Sequence, residues 1–257
     1  MRSENILGSV TSPPRTIRSV AVLVRRVDYG EADRIVTLLT ESHGLVALMA
    51  RGARKSTKRF AGALEPFGVI DAELSLGRGE VGRLVGARLV RGFPALLKSL
   101  SAMEQLGRAL ELVRVATPPR ESDADLIATV IRLFEVVQEG AEPQAARAAF
   151  ELRYLSLLGL SPRVEACSRC DRAPRPGQSA LFDPAVGAIV CRACGGGPMR
   201  LGASVRERMA ASVLGGWSDE LTRWSDEDVR AAIEATDAFV VRHVATSRVA
   251  GRKRGRG

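Results

Sequence analysis

Four cysteines stand in two pairs, Cys167-x-x-Cys170 and Cys191-x-x-Cys194, with twenty residues between the pairs, and the chain contains no other cysteine. The turn of a C-x-x-C knuckle brings two sulfurs to one point and aims backbone N–H groups at them. Two knuckles complete the tetrahedral thiolate shell that suits zinc. Four thiolates close that shell, so the chemistry it supports is structural, and neither His43 nor His243 lies near in sequence to open it. The zinc deaminase signature is missing, because no H-x-E occurs and Ala166, not Pro, precedes Cys167. Paired disulfides need an oxidising compartment, and Met1–Thr16 has no apolar stretch to direct secretion. A redox C-x-x-C sits where a strand enters a helix, and Val164-Glu-Ala166 is a poor strand. One structural Zn2+ held by Cys167, Cys170, Cys191 and Cys194 is the expectation.

A second stretch suits a different chemistry. Arg51, Arg54, Lys55, Lys58 and Arg59 place five positive charges in nine residues, interleaved with Gly52, Ser56 and Thr57 and with no acid among them. Like charges at this density repel one another unless an anion arrives, and such side chains match phosphate oxygens. A merely solvated loop has the same composition. Arg25, Arg26 and Arg34 are possible extensions of a phosphate-binding face. The formal net charge of +9 favours a polyanionic partner such as nucleic acid. Aromatic residues make up 4% of the chain, too few for grip by stacking many bases, so backbone electrostatics should dominate.

Other motifs fail. Gly77-Arg-Gly79-Glu-Val-Gly82 matches the dinucleotide fingerprint, yet Arg83–Val90 alternates like a strand where that motif needs a helix. The glycines therefore read as a hairpin turn. No G-x-x-x-x-G-K-[ST] occurs, so no nucleotide cofactor is expected. The acids read as helix caps or single surface charges rather than as the carboxylate cluster of a metal nuclease, and no enzymatic turnover is expected. Charged residues interrupt every apolar run before membrane-spanning length, which points to a soluble cytoplasmic protein.

The elements that position these groups follow from periodicity. Strands are expected at Val20–Val24, Arg34–Thr40, Leu45–Ala50, Gly68–Leu74 and Arg83–Val90, with turns at Asp28-Tyr-Gly30 and Ser42-His-Gly44. Five short strands over residues 18–96 suggest a Greek-key OB-fold barrel. From Ser99 the period becomes helical, with Leu100, Met103, Leu106, Leu110 and Val113 ended by Pro118-Pro119. Ser122-x-x-Asp125 reads as a capping box, Pro143 opens a third helix, and Ser204-x-x-Glu207 and Ser225-x-x-Asp228 open two more. Between helices, Ser179–Phe182 and Ala188–Val190 form a hairpin around the turn Asp183–Gly187, the layout of a zinc ribbon. The chain is thus a multidomain α+β protein. A disordered lead-in covers 1–17, the barrel 18–96, an all-α domain 97–247 with an inserted four-cysteine, zinc-ribbon-like module at 164–200, and a disordered basic tail 248–257.

The order of these parts, with Val22-Leu-Val-Arg-Arg26, Tyr29-Gly-Glu-Ala-Asp33, Thr40-Glu-Ser-His-Gly44, Arg51-Gly-Ala-Arg54, Leu64-Glu-Pro-Phe67, Phe150-Glu-Leu-Arg153, Leu157-Leu-Gly-Leu-Ser-Pro162 and the four cysteines, resembles the bacterial RecO family of DNA repair proteins. The resemblance runs from about Ser19 to the final helix. It implies an OB-fold, a helical domain and a zinc module. It also implies binding to single- and double-stranded DNA, annealing of complementary strands, and, with RecR, loading of recombinase onto strands coated by single-strand-binding protein, in the nucleoid. Some members of that family lack the cysteines, so the metal is not universal to the activity. Two other classes remain, a zinc-ribbon nucleic-acid-binding regulator and a non-enzymatic interaction scaffold. The first would show sequence preference and the second would retain no DNA.

Overall fold

The β-branched and alternating segments of the N-terminal third form five strands: β1 Thr16–Tyr29, β2 Asp33–Thr40, β3 Gly44–Ala50, β4 Gly68–Ser75 and β5 Val81–Gly92. In the computed structural model, which describes residues 16–56, 58–77, 79–214, 216–218, 221 and 224–254, they close in the order β1-β2-β3-β5-β4. β1 pairs antiparallel with both β2 and β4, and the barrel shuts through a parallel pairing of β3 with β5. This is the expected OB-fold, and closure leaves no long free edge. Residues alternating along the strands, among them Leu23, Val36, Leu38, Leu48, Ile70, Leu74 and Leu84, fill its interior. The lead-in expected to end at residue 17 gives way earlier, since Thr16 and Ile17 already pair with Ser75 and Leu74 of β4. Residues 1–15 and 255–257 lie outside the described residues.

The G-x-G-x-x-G stretch joins two antiparallel strands, as the alternation after it predicts. Gly82 is needed for close packing: a Cβ there would stand 2.8 Å from the carbonyl oxygen of Ser75.

Among the described residues, five α-helices follow: α1 Leu100–Ala116, α2 Ala124–Gln138, α3 Pro143–Leu157, α4 Ala203–Val213 and α5 Asp226–Arg254. Ser99 caps α1 by accepting from the Ala102 N–H at 3.2 Å, and Pro143 opens α3. Two expected caps are displaced. Asp123, rather than Ser122, caps α2, accepting from the Asp125 N–H at 2.8 Å. α4 starts one residue before Ser204, whose hydroxyl donates instead to Asp228 at 2.8 Å and so joins α4 to α5. Ser225 does cap the last helix, accepting from Asp228 N–H at 3.2 Å. The α5 backbone stays helical to Arg254, into the stretch 248–257 that composition alone reads as a disordered tail. Among the described residues no helix is long and apolar enough to cross a membrane.

The expected boundary at residue 96 is not a hinge. Val22, Leu39, Leu45, Phe67 and Val69 of the barrel share one core with Phe93, Leu106, Leu110, Phe134 and Phe150. Phe134 meets Phe67 and Phe93 edge-on, with ring centroids 5.6 and 5.5 Å away. The α1–α2 connection is also sewn into the barrel. Pro119 bridges Leu45, the Arg120 N–H donates to the Leu45 carbonyl at 3.1 Å, and the Arg120 guanidinium reaches the carbonyls of Gly77 and Gly79.

α3 separates two cores. Ala146, Ala149, Phe150 and Tyr154 face the barrel side, whereas Ala148, Leu152 and Leu155 face a second core with Val164, Phe182, Ile189, Leu201, Met209 and Phe239. The cysteine module is packed on that second side. Its expected hairpin is β6 Ala180–Asp183 and β7 Ala188–Ile189, to which β8 Met199–Leu201 adds on the far edge of β6. Three residues carry too little alternation to reveal β8 in the sequence.

Candidate nucleic-acid interface and metal centre

A β-bulge decides which basic residues of β1 look outward. The pairing register slips between Leu23 and Arg25, leaving Val24 as the extra residue. Without it Arg25 would share the inward face of Ala21 and Leu23. Instead Arg25 pairs with Thr37 on the outside, and Arg26 pairs with buried Val36. At the barrel mouth Arg26 donates to the Leu64 carbonyl at 2.8 Å and pairs with Glu65 at 2.9 Å.

The same register builds an outer face that the sequence does not reveal. One row across the sheet is Arg25, Thr37, Ala47 and Val81, and the next is Val27, Ile35, Met49 and Arg83. Tyr29 stands beyond them, 56% exposed, and is the one ring on this face among the described residues. A bulge and a parallel strand pairing cannot be read from local sequence, which is why Tyr29 and Arg83 do not stand out as candidates there. In OB-folds this is the kind of surface that takes single strands, by phosphate contact and base stacking.

Described residues of the basic stretch after β3 are tied down more than their charge density suggests. The Gly52 N–H donates to Asp33 at 2.7 Å, and the Arg54 N–H donates to the Ala32 carbonyl at 3.0 Å. Arg54 also sends its guanidinium to the Gly30 carbonyl at 3.1 Å and lies 3.6 Å from Asp28. Arg59 donates to the Arg51 carbonyl at 2.7 Å and its guanidinium lies over the Phe60 ring, 5.2 Å from the centroid. Arg34 pairs with Asp28 at 3.0 Å. Ala53, Phe60, Ala63 and Leu64 plug the end of the barrel interior. The eight expected cations therefore divide. Arg26, Arg34, Arg54 and Arg59 are engaged in holding the fold, whereas Arg25, Arg51, Lys55 and Lys58 are exposed and form no ion pair among the described residues.

The four cysteines meet as the spacing requires, with their sulfurs all within 4.8 Å of one another. Cys170 and Cys191 Sγ are 3.8 Å apart, the edge of a tetrahedron with metal–sulfur bonds of about 2.3 Å. Backbone turns shape each knuckle. The Asp171 N–H donates to the Cys167 carbonyl at 2.9 Å, and the Gly196 N–H to the Cys191 carbonyl at 3.0 Å. Asp171, Gly195 and Gly196 adopt positive φ to close these turns. N–H groups of Cys191 and then Arg169 aimed at Cys167 hold its thiol down at about 6, whereas the sulfurs of Cys191 and Cys170 push Cys194 up to about 12. Four sulfurs this close cannot all ionise without a cation among them, and the donor set fits a single tetrahedral metal ion.

Ser42 Oγ lies 2.7 Å from His43 Nδ1, a nucleophile–base distance, but the same hydroxyl is 2.8 Å from Ser19 Oγ and all three close the β2–β3 turn. This arrangement reads as turn chemistry.

Residues 15–93 match the family model described as Recombination protein O N terminal, and residues 98–252 match Recombination protein O C terminal. Among curated relatives, a DNA repair protein RecO of Myxococcus xanthus is 41% identical over 175 residues, covering 68% of this chain and 71% of the relative. One of Anaeromyxobacter sp. (strain Fw109-5) is 35% identical over 237 residues, covering 89% and 91%. One of Geobacter sulfurreducens is 37% identical over 179 residues, covering 70% and 73%.

Proposed function

The chain belongs to the recombination protein O family, and on that premise we propose that it is a non-enzymatic DNA-binding mediator of repair. It binds single- and double-stranded DNA, anneals complementary strands and, with RecR, helps load recombinase onto strands coated by single-strand-binding protein. The observation that carries this reading is an outward group of cations that form no ion pair among the described residues, Arg25, Arg51, Lys55 and Lys58. They stand at one end of an OB-fold sheet face that also presents Tyr29 and Arg83.

Neutralising two strands at once lowers their mutual repulsion, so complementary bases meet without any bond-making residue. Tyr29 offers one base a stacking platform, and the remaining grip is on phosphates, which carries no sequence preference. Zn2+ is the ion we assign to the cysteines, because four thiolates in a tetrahedron match its preference and leave no open position for catalysis. Held there, it fixes the fold of the module against α3, α4 and α5. We place the protein in the cytoplasm, at the nucleoid.

The deciding experiment is annealing of complementary strands precoated with single-strand-binding protein, with and without the purified chain. Acceleration by the chain is expected. No acceleration, together with no retention of DNA, would favour an interaction scaffold whose charge is incidental.

A further inference from the structure

Residues 163–200 contain six arginines, no lysine and three acids. Some of these arginines build the module itself. Arg169 crosses from the first knuckle to the Cys194 carbonyl of the second, and Arg163 pairs with Asp171 at 3.4 Å. Arg200 donates to Ser179 Oγ at 3.0 Å. Arg172, Arg175 and Arg192 remain exposed and form no ion pair among the described residues.

These three are held rather than loose. The Arg172 carbonyl accepts from the Cys167 N–H at 3.1 Å, so it lies against the first knuckle, and Arg192 sits inside the second. The Arg175 N–H donates to Gln178 Oε1 at 3.0 Å, and the Gln178 carbonyl accepts from Arg206 of α4 at 2.7 Å. The apolar side of the module, Phe182, Ile189 and Leu201, is buried against the helices, which leaves the arginines toward solvent. A divalent cation on four thiolates keeps two negative charges, and these lie inside the knuckles beside Arg169. Guanidinium groups fork onto phosphate oxygens in a way an ammonium does not, and every cation of this module is a guanidinium.

This surface is remote from the barrel loop. The helices meet β3 at Leu45, whereas the basic stretch begins beyond Ala50 at its other end, and the module lies across α3 from the barrel. The length of a seven-residue strand and one layer of helix thus lie between the two surfaces. We propose that Arg172, Arg175 and Arg192 form a second phosphate-binding surface for a polynucleotide, so that one molecule holds two strands at once. The proposal rests on the reading of the barrel as the first DNA site.

The test uses the full chain, an immobilised oligonucleotide and a second, non-complementary labelled oligonucleotide, and measures capture of the second strand through the protein. The variant Arg172→Gln/Arg175→Gln/Arg192→Gln should keep its metal and bind the first strand within about threefold of the parent, yet capture the second at least about tenfold less. A second variant, Arg175→Gln alone, spares the knuckles and should lower capture even where the triple variant loses metal. Capture unchanged in both variants overturns the proposal, including where two self-associated copies do the bridging or where the arginines serve an acidic protein instead. A parent chain that binds the first strand but captures no second one also overturns it. A parent chain that binds neither strand overturns the reading of the barrel.

Discussion

The guanidinium of Arg54 donates to the carbonyl of Gly30 at 3.1 Å, tying the stretch after β3 to the turn between β1 and β2. Asp28 in that turn serves both Arg34 and Arg54, at 3.0 and 3.6 Å. A dense run of cations is thereby divided into members that hold the loop and members that the held loop presents.

Removing the two kinds should have different consequences. Arg51→Ala/Lys55→Ala/Lys58→Ala should weaken single-strand binding for all sequences and flatten the log–log salt slope by about 0.7 for each phosphate no longer neutralised, about 2 in total. Arg54→Ala should alter that slope little and cost about 1 kcal/mol or less of stability, because one hydrogen bond goes unmade. Fluorescence anisotropy over a salt series, alongside urea melts, distinguishes them. Equal slopes for parent and triple variant would show the loop to be the wrong site.

Removing the metal should loosen the module before the barrel. Cys191→Ser, or a chelator, takes away a tetrahedral tie that joins Cys167 and Cys170 to the second knuckle and braces Val164, Phe182 and Ile189 against α3 and α5. The thermal midpoint should fall by about 10 °C, since metal-binding energy at a structural site is folding energy. Single-strand affinity should change less than about threefold by anisotropy. Parallel loss of both would mean that the module and the barrel interior do not stand apart.

Glu151 gives stability a pH dependence of known sign. Its carboxylate meets Arg147 at 2.6 Å, with Asp237 and Gln105 on the same guanidinium, and one oxygen is buried without a partner among the described residues. Burial pushes the carboxyl up to about 7, against the opposing pull of Arg147. Between about 4.5 and 7 the folded chain holds a proton that the unfolded chain has released, so stability is greatest below that window and falls as pH rises through it. Glu151→Gln should flatten this decline by up to about 3 kcal/mol, read from denaturant midpoints at about pH 5 and pH 8. Identical pH profiles for the two proteins would count against the shift.

Gly44 should not tolerate a side chain. It sits at φ 58°, and a Cβ would stand 2.0 Å from the Glu121 carbonyl oxygen, where the α1–α2 connection crosses β3. Gly44→Ala should destabilise the protein by about 3 kcal/mol or more, since both the strained backbone and the displaced connection oppose it. A chemical melt measures this, and a change below about 1 kcal/mol would mean that the connection yields freely.

Much of this molecule was legible in the chain itself. Cysteine spacing located the four-sulfur cluster, because a C-x-x-C turn is a local geometry and two of them need little else to converge. Alternation located five strands and 3.6-residue periodicity located the helices, because each pattern reflects one element burying one face. Tertiary structure decided what local patterns cannot carry. The slip at Val24 sent Arg25 outward and Arg26 to the barrel mouth, a choice set by pairing with β2. Ser204 bonds α5 instead of capping α4, because Asp228 is brought alongside by the fold. Arg54 and Arg59 became scaffold while Lys55 and Lys58 stayed turned to solvent, because partners such as Gly30 and Asp28 are distant in sequence and adjacent in space. Charge composition shows where cations are dense, and long-range pairing selects which of those side chains stay exposed.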